Sequence, residues 1–78
     1  MEENYLPYKN VHRLMKTCTD QKIGKDSVEQ TIIFLETLTK DIISLSTMYS
    51  KHDKRRIINS KDINLAIKTL QNVTYDGV

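Results

Sequence analysis

Tryptophan is absent, and the chain has only one cysteine, one proline and two glycines in 78 residues. The lone Cys18 excludes an internal disulfide, and no Cys or His stands at a zinc-ligand spacing from it, so no metal and no cofactor is expected. So little Gly and Pro argues against a loop-rich fold. No apolar run approaches the ~20 residues that a bilayer span needs. Met1-Glu2-Glu3-Asn4 is acidic and unlike a signal peptide, so neither a membrane partner nor export is expected. Aromatic residues are few and are not interleaved with the basic ones, which disfavours stacking on single-stranded bases.

What is present belongs to a folded chain. Hydrophobic residues make up 38 % and the formal charge is only +2, a balance too apolar and too nearly neutral for disorder. With no repeat, linker or low-complexity tract, residues 1–78 read as one domain, with a core at about 6–73 and short polar tails. A chain of this size buries only about 60–65 % of its unfolded surface and is marginally stable alone. Lacking disulfides and metals, it is expected to oligomerise.

Three segments have helical periodicity, which makes the fold class all-α. The first opens at Pro7, read as the first helical residue, and carries Val11, Leu14, Met15 and Cys18 on one stripe to about Asp20, with Cys18 as a small core residue. The second runs from about 26 to 52 without Gly or Pro, and Asp26 with Glu29 reads as a capping box. Val28, Leu35, Leu38, Ile42, Leu45 and Tyr49 form its seam, while Ile32, Ile33, Phe34, Ile43 and Met48 widen the apolar surface. At ~40 Å, such a helix exceeds what so short a chain can cover, and it calls for partners from outside. The third opens at Ser60 as N-cap, carries Ile63, Ala66, Ile67 and Leu70, and fades near Asn72-Val73. The connections hold Ile23 and Ile57-Ile58, where short strand segments are expected.

The mild net charge hides two clusters. Residues 9–25 carry Lys9, Arg13, Lys16, Lys22 and Lys25 against Asp20 alone, a net +4. Residues 51–56 hold Lys51, Lys54, Arg55 and Arg56 against Asp53, a net +3. A solvated surface is the ordinary reading of such charges. Their concentration beside helix N-termini instead favours a polyanion such as a phosphate backbone. No nucleophile stands by His12 or His52, Glu36 and Asp41 read as solvated helix charges, and an enzyme is not expected. Tyr5 and Tyr8 are expected to pack near the N-terminus.

Several stretches resemble archaeal histones: Leu6-Pro7, Arg13 within Val11-His12-Arg13-Leu14-Met15-Lys16, Lys40-Asp41-Ile42, His52, and Arg55-Arg56-Ile57-Ile58-Asn59-Ser60-Lys61-Asp62-Ile63-Asn64-Leu65-Ala66. The resemblance spans roughly residues 6–70 without a gap. It implies a histone fold (short helix, long central helix, short helix) as a handshake dimer, with Leu35, Leu38, Ile42 and Leu45 in the dimer core. It further implies non-sequence-specific binding and compaction of double-stranded DNA as a chromatin protein of the nucleoid, in the cytoplasm. By the same resemblance Arg13, Lys16, Lys22, Lys25, Lys54, Arg56 and Ile57 would meet DNA, Arg55 would pair with Asp62 as a structural brace, and Tyr49, His52, Asp62 and Leu65, with Ala66, would form a dimer–dimer contact in a tetramer. Four positions depart from the family: Ile57 for threonine, Lys22 for arginine, Gly24 for a hydroxyl cap, and Thr19 for a glycine that lets dimers stack. The first two imply weaker DNA binding, and Thr19 argues against extended filaments. Two other readings stay open: a histone-fold interaction subunit that forms a heterodimer with another histone-fold chain, and a tetramer that bridges duplexes rather than wrapping them.

Overall fold

The computed structural model describes residues 5–76, with side chains described through residue 72. Three helices follow one another: α1 (Tyr8–Lys16), α2 (Lys25–His52) and α3 (Ser60–Asp76). There is no strand among the described residues, so the short segments expected at Ile23 and Ile57-Ile58 are irregular chain. A strand needs a hydrogen-bonded neighbour, and single apolar residues in a loop do not supply one. The helices divide between two compact units, Met1–Leu38 and Thr39–Val78, with α2 contributing to both.

In the first unit, Pro7 is the N-cap of α1 rather than its first helical residue. The helix also stops earlier than its apolar stripe suggests. The Thr17 hydroxyl donates to the Leu14 carbonyl at 2.6 Å, competing with the next helical turn, and Thr17 and Cys18 close the end through their backbone N–H groups. Cys18 therefore lies beyond the helix and is exposed, not in the core. Leu14 is likewise exposed, at 63 %. The core is smaller than the stripe: Val11, Val28 and Ile32 are buried, with Leu6, Met15 and Ile23 packed against them. Each buried aliphatic side chain stabilises by about 1.5–3 kcal/mol.

Two polar contacts complete this unit. Gly24 precedes α2 and its carbonyl accepts the N–H groups of Ser27 and Val28, so the helix starts one residue before the expected capping box and Asp26 sits in its first turn. Glu36 is not a free solvated charge. Its carboxylate accepts the backbone N–H of Tyr5 at 2.6 Å and of Leu6 at 2.9 Å, tying the chain entering α1 to α2. Tyr5 is 80 % exposed, not packed away as expected, whereas the Tyr8 ring lies 6.0 Å from the His12 ring, centroid to centroid.

The second unit has a thin core. Ala66 is its one fully buried apolar residue among those described; Ser46, Ser50 and Asp62 are buried polar groups. The Ser46 hydroxyl is buried with no hydrogen-bond partner among the described residues. Tyr49 and Thr69 share a hydrogen bond of 2.9 Å between α2 and α3. The end of α2 is a Schellman motif: Arg55 N–H donates to the Ser50 carbonyl and Lys54 N–H to the Lys51 carbonyl, both at 2.9 Å. Lys54 accordingly takes the left-handed conformation, φ 61°. The N-cap of α3 is Asn59 rather than Ser60, and Asn59 and Asp62 cap reciprocally. Asn59 Oδ1 accepts the Asp62 N–H at 3.2 Å, and Asp62 Oδ2 accepts the Asn59 N–H at 3.0 Å. α3 also runs on to Asp76, past the expected fade at Asn72-Val73.

Candidate nucleic-acid interface

The cations of the first unit sit on α1 and in the loop that follows it. Arg13 is exposed and its Nη2 donates to Asn10 Oδ1 at 2.6 Å, one turn back, which holds the guanidinium along the helix. Lys16 Nζ donates to the Gln21 carbonyl at 2.9 Å, so its ammonium is pinned to the loop with two donors to spare. Lys22 and Lys25 are exposed on either side of Gly24, and the first N–H groups of α2 lie at that end. None of these four makes an ion pair among the described residues. The N-terminus of α2 adds to the anion affinity at Lys22 and Lys25, whereas Arg13 and Lys16 lie in the last turn of α1.

The second unit places its cations around one ion pair, a half-buried Arg55 on a buried Asp62. Arg55 reaches Asp62 with two parallel bonds, Nη2 to Oδ1 at 2.7 Å and Nη1 to Oδ2 at 2.9 Å. The same guanidinium donates to Asp53 Oδ2 at 3.2 Å and to the Ile57 carbonyl at 3.0 Å. Asp62 is almost wholly buried, and this bidentate partner, with the Asn59 N–H, pulls its carboxyl down to about 2. The hydrogen bonds to Asp62 and Asp53 raise Arg55 further above its already high value. Arg55 is thus spent on the protein's own carboxylates and carbonyl. Lys54 and Arg56, its exposed neighbours, make no ion pair among the described residues and face solvent. Ile57 is exposed at 75 %.

A hollow of about 190 Å³ in this unit is lined by Tyr49, His52, Asp62 and Leu65 together with Asp53, Arg55 and Lys61. Four residues that the sequence associates with a contact between dimers therefore share one surface. His52 lies at the end of α2, its Nδ1 3.6 Å from Asp53 Oδ1, and its side chain is exposed. Leu35, Leu38, Ile42 and Leu45 are each half-buried, the first two in one unit and the last two in the other. Ile33, Phe34, Ile43 and Met48, on the same helix, are exposed at 45–63 %. Sequence reasoning missed the Glu36 clasp and the left-handed Lys54, since neither residue type signals its role by spacing. The Asn59–Asp62 capping box had a signal, a polar cap followed three residues later by an acid, which Ser60 obscured.

Among the described residues no group of His, Cys, Asp and Glu could hold a metal ion, and no helix is long and apolar enough to cross a membrane. No curated protein matches the chain. The model of one family does, over residues 4–67, and it covers most of α1–α3 in the order short, long, short with the Arg55–Asp62 brace inside it. That family is histone-like and DNA-binding, and its fold fits the all-α, short-long-short arrangement of the helices. By that match the chain belongs to the family of histone-like transcription factors (CBF/NF-Y) and archaeal histones.

Proposed function

We propose that this chain is a single histone-fold domain, with its core at residues 6–73, that forms a homodimer through α2 and binds double-stranded DNA without sequence specificity. The observation that carries the reading is the set of exposed cations at both inter-helix turns that make no ion pair among the described residues: Lys22 and Lys25 at one, Lys54 and Arg56 at the other. Exposed cations of this kind can neutralise phosphates and release the counterions condensed on the duplex, and that release is the main source of sequence-independent affinity. Arg13 and Lys16 on α1 add to the same field. The mechanism is phosphate neutralisation with bending or wrapping of the duplex and no base readout. Arg55 and Asp62 hold the second turn in shape and do not themselves touch DNA. Pairing of dimers through Tyr49, His52, Asp62 and Leu65 would give a tetramer that compacts or bridges duplexes, in keeping with an archaeal chromatin protein on the nucleoid.

Titrating a duplex of mixed sequence between about 50 and 200 mM salt tests this. Affinity should fall steeply with salt, and to the same extent on unrelated sequences. Binding that is insensitive to salt, or confined to one sequence, contradicts the reading. A second reading rests on the family description, which includes transcription factors as well as archaeal histones. In it the chain is an interaction subunit whose α2 pairs with a different histone-fold chain. A purified chain that stays monomeric at micromolar concentration and binds no duplex favours that reading.

A further inference from the structure

The helix α1 has two unlike sides. At ~100° per residue, Lys9, His12, Arg13 and Lys16 fall within about 100° of arc, turned away from buried Val11. Three of these are exposed cations; His12 is half-buried, and histidine is the side chain whose charge changes between about pH 5 and 8. The Tyr8 ring, one turn back, lies 6.0 Å from the imidazole at a tilt of 30° and holds it on this side of the helix. Neither imidazole nitrogen has a hydrogen-bond or ion-pair partner among the described residues. When protonated, the ring offers two N–H donors and a positive charge.

The chain itself provides no acceptor for that charge among the described residues. The described acids of the same unit are Asp20, Asp26, Glu29 and Glu36, and none pairs with His12. Glu36 is taken up by the N–H groups of Tyr5 and Leu6. The cations around His12 are Lys9, Arg13 and Lys16 on its own helix, with Lys22 and Lys25 in the turn and at the start of α2. A proton on His12 therefore adds to a side that already carries three cations, and an anion laid along that side favours the proton.

Resting on the DNA-binding reading above, we infer that His12 is a proton-linked phosphate contact, which makes duplex affinity rise as the pH falls through the neutral range. Binding and protonation are then one linked equilibrium. The proton comes from solvent when the duplex binds and returns to solvent when it leaves. Lys9, Arg13 and Lys16 supply the part of the affinity on this side that does not vary with pH. His52, the other histidine of the chain, differs in having a carboxylate of its own, Asp53 Oδ1 at 3.6 Å from its Nδ1. It serves as the control.

The test measures Kd for the full chain and a short duplex of mixed sequence at about pH 5.5 and about pH 7.5, at matched ionic strength. The chains compared are the wild type, His12→Gln, His12→Lys and His52→Gln. The Asp62 brace is not at stake over that range, since its stabilisation is complete above about pH 4. The wild type should bind about three- to tenfold more tightly at the lower pH, with a steeper salt slope there. His12→Gln should bind equally at both, and His52→Gln should keep the wild-type ratio. His12→Lys should bind at the higher pH as tightly as the wild type does at the lower. Equal wild-type affinity at both pH values, or a ratio that persists in His12→Gln, overturns the inference and leaves the DNA reading standing. A ratio lost in His52→Gln overturns it as well, because the proton then enters at the end of α2. Should circular dichroism show His12→Gln unfolded, His12→Lys decides: affinity no better than that of the wild type at the higher pH overturns the inference. Absence of salt-sensitive duplex binding by the wild type at either pH removes the DNA reading itself, and this inference with it.

Discussion

Asp62 is the residue on which most of the second turn depends. It accepts both arms of Arg55 and caps α3 through Asn59, and it does so almost without solvent exposure. Its carboxyl is lowered from 3.8 to about 2 in the folded chain, chiefly by Arg55 and then by the Asn59 N–H. On acidification the unfolded chain therefore takes up this proton before the folded chain does. The stabilisation from Asp62 is complete above about pH 4 and is lost as the pH falls from there toward 2. Asp62→Asn should lower the thermal midpoint at neutral pH, and the gap between variant and wild type should close between pH 4 and pH 2. A gap that stays constant across that window would show that the carboxylate charge contributes nothing. Ser46 is the opposite case, a buried hydroxyl without a partner among the described residues. Such a group costs free energy rather than supplying it.

At the scale of the elements, the interiors of the helices were legible in the sequence and their ends were not. Val11, Val28 and Ile32 stand at helical spacing and are buried, and α2 has no breaker along its 28 residues. Periodicity reports which face of a helix is covered. Termination depends on single hydrogen bonds that periodicity does not contain: the Thr17 hydroxyl cut α1 short of Cys18, and Asn59 rather than Ser60 started α3. The cationic turns were legible as runs of charge, but the division of labour within them was not. Only the geometry separates Arg55, which is consumed by Asp53 and Asp62, from Lys54 and Arg56, which are not. The end of α2 shows what that division costs. The closing position is left-handed, where glycine is at ease and a lysine is not. Lys54→Gly should therefore stabilise the chain by about 1 kcal/mol, measured by chemical denaturation. The same change should weaken duplex binding and reduce its salt slope by about one. Greater stability with unchanged binding would mean that Lys54 does not serve the DNA.

At the scale of the whole molecule, burial is short. Among the described residues only Val11, Val28, Ile32 and Ala66 are buried apolar side chains, and the second unit adds mainly serines and Asp62. Against them stand Leu14, Ile33, Phe34, Ile43 and Met48, all exposed, four of the five on the longest helix. A chain of 78 residues with a single cysteine, and so few buried apolar side chains among the described residues, calls for a second chain to complete its core. That requirement makes stability depend on protein concentration, because folding and association become one equilibrium. The thermal midpoint of the wild type should rise with concentration. Phe34→Asp is the discriminating substitution: Phe34 is 63 % exposed within the chain. In a self-sufficient monomer a change at so open a site shifts stability by no more than about 0.5 kcal/mol. In a dimer that covers α2 it buries an unpaired charge, and both mass and midpoint should collapse toward those of an unfolded or monomeric chain. A midpoint independent of concentration, with Phe34→Asp as stable as the wild type, would show that the exposed face of α2 is not where two chains meet.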